Sequence, residues 1–403
     1  MLLALIALEN TKFIQNIIKK LNTKGYYQIQ NNELKFGNFI SETSNRFLKD
    51  TKFELKRKIL SREYFEIEGL LEADKKYPDN KDLALIKEYI SLRSYFIDKG
   101  IGISKIKDIR AALITFLQTK IPELKTDGEL IYNPKIVQIE KINTLNEFIK
   151  STLEKKLDEK NVYYRGQQKV NWENIPSIFR NKNWINHEQD FIHEMMIHNP
   201  DEFINCNCTI EQLTKMQHYG VPTRLLDLSK NPLVALYFAC ENSNPKDSSI
   251  GEVVLFQGKT ESEKFYDSNS VSILSNIAKL KEFDIKKLKD LTKLEKNYIS
   301  EFDEKSDLFH KCLFVHVKQD NKRIQNQQGL FLLFGMGKEK TLPADSSDYY
   351  YKLENGKKLV YVITNKKQIL EQLKSLNINR GFIYPEIDDY ATYLKTTIYP
   401  DTE

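Results

Sequence analysis

The stretch Gln217-His218-Tyr219-Gly220-Val221-Pro222-Thr223-Arg224-Leu225-Leu226-Asp227, continued by Leu228-Ser229-Lys230-Asn231-Pro232 and the apolar run Leu233 to Cys240, decides how this chain reads. Gly220 and Pro222 close a predicted helix over Ile210 to Tyr219, because glycine accepts a left-handed cap and proline cannot continue the ladder. An extended piece from Thr223 to Leu228 follows. Ser229 and Asn231 each suit the cap of the next helix, and Pro232 suits its first turn. That helix is apolar on every side, which predicts burial. Arg224 and Asp227 therefore stand between two core elements, where charge is costly unless it is partnered or used.

Working outward, the chain's 403 residues suffice for two structural units, and 40% hydrophobic with 29% charged residues is a globular composition. The net charge of +5 is a small difference between 61 basic and 56 acidic residues, so it implies no nucleic-acid affinity. The cysteines Cys206, Cys208, Cys240 and Cys312 offer one Cys-x-Cys pair and no second pair at zinc spacing, so no metal is expected. Met1 to Leu8 is too short to span a bilayer and lacks the basic front of a secretory signal. The expectation is a cytoplasmic protein that does not engage membranes.

Towards the N-terminus, apolar residues recur at helical spacing. The clearest case is Ser104 to Ile121, with Ile106, Ile109, Leu113, Phe116 and Leu117 on one face. Weaker patterns cover Phe13 to Leu21, Ser41 to Ile59, Glu63 to Ala73 and Asn80 to Phe96. Residues 1–130 thus read as a helical module, free of catalytic or phosphate-binding motifs and suited to packing or to a protein partner. The polar turn from Thr126 to Pro134 marks a boundary.

Residues 131–403 read as a second unit of α+β class, a mixed α/β domain with an antiparallel or mixed sheet. Strands are predicted at Ile136 to Ile139, at Val162 to Tyr164 running into the Arg165-Gly166-Gln167-Gln168 loop, and at Gly251 to Phe256, Leu313 to Val317, Leu330 to Phe334 and Leu359 to Ile363. Helices are predicted at Leu145 to Leu157, His187 to His198 and Lys366 to Leu376. Residues 277–310, dense in alternating charge, read as a solvent-facing helical insertion. Arg323 to Gly329 reads as a polar loop, and Arg380 to Tyr384 as a strand broken by Pro385.

Several blocks in order, Tyr164-Arg165-Gly166-Gln167, Pro176-Ser177-Ile178-Phe179-Arg180, the opening stretch, and Ala235-Leu236-Tyr237-Phe238-Ala239, resemble the FRG domain family. Gln327-Gln328-Gly329-Leu330-Phe331 and Ile383-Tyr384-Pro385-Glu386-Ile387-Asp388 extend the resemblance over roughly Asn161 to Leu394. Tyr164 departs from the family's Phe-Arg-Gly but keeps the ring. The resemblance implies a bacterial cytoplasmic protein.

A looser likeness in block order is to ADP-ribosyltransferases. It implies NAD as substrate, Arg165 as the residue that holds it, Ser229 or Thr223 at the middle position, and Glu386 at the late acidic position. An amide from the Gln325 to Gln328 loop there would remove the transferase chemistry. The implied role is a nucleotide-handling effector, of toxin or phage-defence type, with a protein or nucleic-acid acceptor. A non-enzymatic ligand- or partner-binding module and a nucleic-acid-binding protein stay open as other readings.

The chemistry favours the same residues. Cleaving a nicotinamide–ribose bond builds positive charge on the sugar, so cations must hold the pyrophosphate and a carboxylate must stand near the ribose. Arg165, Arg180 and Arg224 offer planar forks for phosphate, and Gly166 offers close backbone approach. His218 can act as acid or base. Tyr219 can likewise donate or act as acid or base, Tyr163, Tyr164 and Trp172 offer rings for a nucleobase, and Gln167, Gln217 and Gln328 offer amides for base recognition. Asp227 can pair with Arg224 or a neighbouring arginine. Ser229 to Leu233 opens a helix, a candidate anion site.

Overall fold

The computed structural model describes residues 15–29, 113–114, 117–118, 120–157, 161–241, 249–296, 302–303 and 305–399. The chain divides into two compact units, Met1–Val137 and Gln138–Glu403. The predicted helices at Ser41 to Ile59, Glu63 to Ala73, Asn80 to Phe96 and the first turns of Ser104 to Ile121 lie outside the described residues.

In the first unit a helix runs over residues 15–23. It stops at Gly25, whose φ of +95° is open to glycine at little cost. Strand β1 (Tyr26–Gln28) pairs antiparallel with β3 (Leu130–Tyr132), and β3 pairs antiparallel with β2 (Lys125–Asp127). The turn between β2 and β3 has Gly128 at φ +62°, following Asp127, a residue pair typical of tight hairpins. Ile17, Leu21, Tyr27, Ile29, Leu113, Leu117 and Ile131 form its core. Expected helical residues and this small sheet therefore share one core. The segment read as a domain boundary is itself a hairpin.

The second unit is built on an eight-stranded sheet of order β4-β11-β7-β5-β6-β10-β9-β8. Its strands are β4 (Val137–Ile142), β5 (Val162–Gln167), β6 (Leu225–Ser229), β7 (Gly251–Gln257), β8 (Glu263–Phe265), β9 (Cys312–His316), β10 (Gly329–Phe334) and β11 (Lys358–Ile363). β8 and β9 run parallel. The pairs β5–β6, β5–β7, β6–β10, β9–β10 and β7–β11 are antiparallel. The sheet is mixed and the class is α+β.

Alternation along the strands separates its faces. On one, Tyr164, Val253, Leu255 and Tyr361 pack beneath α1 (Leu145–Glu154), α4 (Pro232–Cys240) and α8 (Lys366–Ser375). On the same face, Leu225, Phe331, Leu333 and Val315 pack beneath α2 (Glu188–His198), α3 (Thr209–His218) and α5 (Asn269–Asn276). Tyr163, Val254, Phe256, Leu226, Leu228 and Leu332 point the other way, against Phe179, Tyr349 and Tyr350.

α4 is nearly all buried, as its composition requires, and it lies directly on the strands. A Cβ on Gly166 would stand 1.8 Å from the Ala235 carbonyl oxygen, and one on Gly251 would stand 2.3 Å from that of Ala239. Glycines beneath alanines allow backbone to meet backbone. Asn231 is the N-cap, accepting from the Leu233 N–H at 2.9 Å, and Pro232 fills the first turn.

Four local readings change. Arg165, Gly166 and Gln167, read as a loop, continue strand β5 and pair with Val254, Val253 and Glu252. Arg323 to Gly329 is mostly helix, α7 (Lys322–Gln327): Asn321 caps it by accepting from the Ile324 N–H at 2.8 Å, and Gln328 ends it at φ 45°. Arg380 to Tyr384 is not a strand but the short helix α9 (Arg380–Ile383), capped by Asn379, which accepts from the Phe382 N–H at 3.1 Å. Pro385 separates it from α10 (Ile387–Tyr393). Within 277–310, α6 (Ile285–Glu295) exposes Leu294 but turns Glu295 inward. Glu295 accepts from the Thr209 N–H at 2.9 Å, so the charged segment caps α3 as well as facing solvent.

Candidate functional site

Arg165 lies next to the sparse pairing between β5 and β6. β5 pairs with β7 over six residues, but its registered pairing with β6 is the single pair Tyr164 with Ser229. Beside that pair the Arg165 Nη1 donates to the Asp227 main-chain oxygen at 2.7 Å. The side chain is 12% exposed, and its Nε is buried with no hydrogen-bond partner. Burial lowers the Arg165 guanidinium to about 10, a shift that the nearby Asp227 opposes and Arg180 reinforces. The group keeps its charge at neutral pH and retains unused donor capacity.

Asp227 is 57% exposed and stands 3.8 Å from Arg165 Nη1 through Oδ2. The Gln217 Nε2 donates to both of its carboxylate oxygens, at 3.1 and 3.0 Å. Thr223 Oγ1 donates to Gln217 Oε1 at 2.6 Å and accepts from the Leu225 N–H at 3.1 Å. Arg180, whose Nε and Nη2 donate to the Ile175 carbonyl at 3.1 and 2.9 Å, also feels the field of Asp227. Arg165, Asp227, Gln217 and Thr223 thus form one connected set, with Arg180 near enough to add its charge.

A second set begins one residue further along α3. His218 Nε2 lies 3.4 Å from Glu386 Oε1, and Glu386 Oε2 is buried without a partner. Burial and then the charge of Arg323 push the His218 imidazole below its ordinary value, with Glu386 opposing. Arg323 donates to the His218 carbonyl at 3.3 Å and lies over the Tyr384 ring at 4.8 Å. Tyr384 donates to Glu241 at 2.9 Å, and burial raises that carboxyl. α7 holds the Glu386 segment in place: Asn326 Nδ2 donates to the Phe382 carbonyl at 2.7 Å and Gln327 Nε2 to that of Ile383 at 3.1 Å. The two sets meet at the last turn of α3, through the neighbours Gln217 and His218.

Arg224 takes no part in either. It is fully buried, its Nε and Nη2 donating to Glu188 at 2.7 and 2.6 Å and its Nη1 to the carbonyls of Phe334 and Gly335. Lys340 joins Glu188 at 3.0 Å. Its complete burial leaves Arg224 out of a ligand's reach, and Asp227 pairs with Arg165 rather than with it. Gly166 serves the packing of α4, whose backbone occupies the space that a ligand was expected to approach.

Other expected contacts are also used internally. Ser229 Oγ donates to the Gln327 carbonyl at 2.6 Å and accepts from the Asn231 N–H at 2.9 Å, so two groups of the expected helix-start anion site are engaged internally. Gln167 is buried, its Nε2 shared between Asn174 and Glu252 at 2.6 and 2.8 Å. Tyr164 belongs to the core under α4. Tyr219 is half-exposed and donates to Glu202 at 3.0 Å, while Gln328 is exposed at the end of α7. A cleft of about 350 Å³ by Tyr164, Lys230 and Pro232 contains neither Arg165 nor His218. Among the described residues, no group of three or more His, Cys, Asp or Glu side chains could hold a metal ion.

These elements, the Arg165 strand, α3, β6 and α4, fall within residues 160–248, which match the family model described as the FRG domain. This segment is an FRG domain. No curated protein matches the chain, and no solved structure does. The FRG domain supplies Arg165, Arg180, Gln217, His218, Thr223 and Asp227. Glu386, Arg323 and Tyr384 come from beyond it, as does Lys340. Glu188 lies inside it, but nothing in the local sequence pairs it with Arg224. No helix among the described residues is long and apolar enough to cross a membrane.

Proposed function

We propose that this protein is a nucleotide-handling effector of ADP-ribosyltransferase type that takes NAD as substrate. The observation that carries the reading is Arg165: a nearly buried guanidinium at a gap in the sheet, with an unpartnered Nε and Arg180 nearby. A planar cation with free donors suits a pyrophosphate, and the second arginine adds charge for a dianion.

In this scheme the ribose–nicotinamide bond breaks with its electron pair moving to the ring nitrogen, and nearby carboxylate charge steadies the sugar cation. An acceptor hydroxyl or amine then bonds to the sugar carbon as neutral His218 takes its proton, with Glu386 orienting the imidazole. A late acidic residue in contact with a histidine, rather than an amide from the Gln325 to Gln328 loop, is consistent with this chemistry. The family resemblance alone suggests a bacterial, cytoplasmic toxin or phage-defence role, with a protein or nucleic acid as acceptor.

The test is incubation of the full chain with NAD, with and without protein and nucleic-acid acceptors, followed by assay of free nicotinamide. Release by the wild type and its loss in Arg165→Ala, with folding retained, is the expected result. No release from the wild type, or release unchanged by Arg165→Ala, refutes the assignment.

A further inference from the structure

We infer that Asp227 is the specificity group of this site: it accepts the hydroxyls of a ribose whose phosphate is held by Arg165 and Arg180. The inference rests on the nucleotide reading above and adds the part of the nucleotide that the site selects.

A carboxylate only accepts hydrogen bonds, so it must be faced by donors. Gln217 turns its NH₂ towards Asp227, at 3.1 and 3.0 Å from the carboxylate oxygens. Its carbonyl end is then left for Thr223, whose hydroxyl must donate, at 2.6 Å. The Leu225 N–H, donating to Thr223 Oγ1 at 3.1 Å, occupies a lone pair of that hydroxyl. Thr223 is 1% exposed, so the relay begins in the core and ends at a carboxylate that is 57% exposed. An exposed surface aspartate has no need of a buried relay to orient it.

The charge pattern around Asp227 is that of a nucleotide rather than of a simple anion. An anion alone would be served by the arginines and repelled by the carboxylate beside Arg165. A phosphate bonded to a sugar diol satisfies both: the phosphate meets the guanidinium donors while the hydroxyls donate to Asp227. Carboxylates recognise ribose hydroxyls in this way in dinucleotide sites, and a site built to bond a hydroxyl rejects the analogue that lacks it. Gln217 and Thr223 act through Asp227 and are positioning residues.

The experiment titrates the full chain with ADP and with 2′,3′-dideoxy-ADP. Wild-type protein is expected to bind ADP about tenfold or more tightly than the dideoxy compound, the order expected for hydroxyls bonded to a charged acceptor. Asp227→Ala should abolish that preference while keeping the dideoxy affinity. Thr223→Val should reduce the preference without weakening dideoxy-ADP binding, and Thr223→Ser should restore it, an outcome that a merely structural role would not produce. Thermal unfolding of each variant confirms that the folded protein is being compared. Equal wild-type affinity for both compounds, or a preference that survives Asp227→Ala, overturns the inference and leaves the nucleotide reading standing. Binding of neither compound by the wild type overturns both.

Discussion

Replacing Glu188 by Gln removes the single anion from a buried group that also holds Arg224 and Lys340. Glu188 is 2% exposed and Arg224 0%, with bonds of 2.7 and 2.6 Å between them. Lys340, 7% exposed, closes the group at 3.0 Å. The carboxamide keeps the shape but presents donors to donors and leaves the guanidinium uncompensated, a change that costs about 3–5 kcal/mol when one partner of a buried pair is lost. Burial also lowers the ammonium of Lys340, so this side chain can shed its proton in the variant, which favours the lower end of that range.

The assay is denaturant unfolding of wild type and Glu188→Gln across pH. Burial by itself pushes the Glu188 carboxyl up, but Arg224 and Lys340 together outweigh it and hold the group below 4.5. A carboxyl whose folded value is lowered contributes stability fully above its unfolded value and loses it as pH falls through the folded one. The gap between the two proteins should therefore be constant from about pH 6 to 8 and close on the acid side. A gap under about 1 kcal/mol at pH 7 would refute the reasoning. So would loss of nucleotide binding by the folded variant, because Arg224 would then be more than scaffold.

Two further outcomes follow from the same geometry. Gly166→Ala places a methyl group 1.8 Å from the Ala235 carbonyl, so α4 must move and stability should fall by about 1–3 kcal/mol or more, read from the unfolding midpoint. His218 has its pKa lowered by burial and by Arg323, which favours its basic form at neutral pH. The rate of ADP-ribose transfer to the acceptor should be flat from neutral pH upward and fall on the acid side as the imidazole protonates. Arg323→Gln, by removing a neighbouring positive charge, should move that acid limb to higher pH.

Much of the fold was legible because its signals are local. Short runs of apolar, β-branched and aromatic residues located β7, β9, β10 and β11 to within a residue or two, and the Asn231-Pro232 start with its all-apolar run placed a buried helix at α4. The misreadings are local as well. Arg380 to Tyr384 looks extended by composition, yet one side-chain cap from Asn379 makes it a helical turn. The charged run over 277–310 looks like a plain solvated face, yet Glu295 within it caps α3.

What the residue pattern determined by itself was therefore the class, α+β, the FRG-like blocks, and the presence of Arg165, His218, Asp227 and Glu386 among chemically capable groups. What only the tertiary structure decided was which charges are partnered and which are available. Arg224 and Arg165 look alike in the sequence, each a lone arginine in an FRG-like block. Their fates depend on partners 36 residues away for Arg224 and 62 residues away for Arg165. No short-range pattern carries that information, because a buried charge is settled by the groups that converge on it in space, and those are set by how the strands pair.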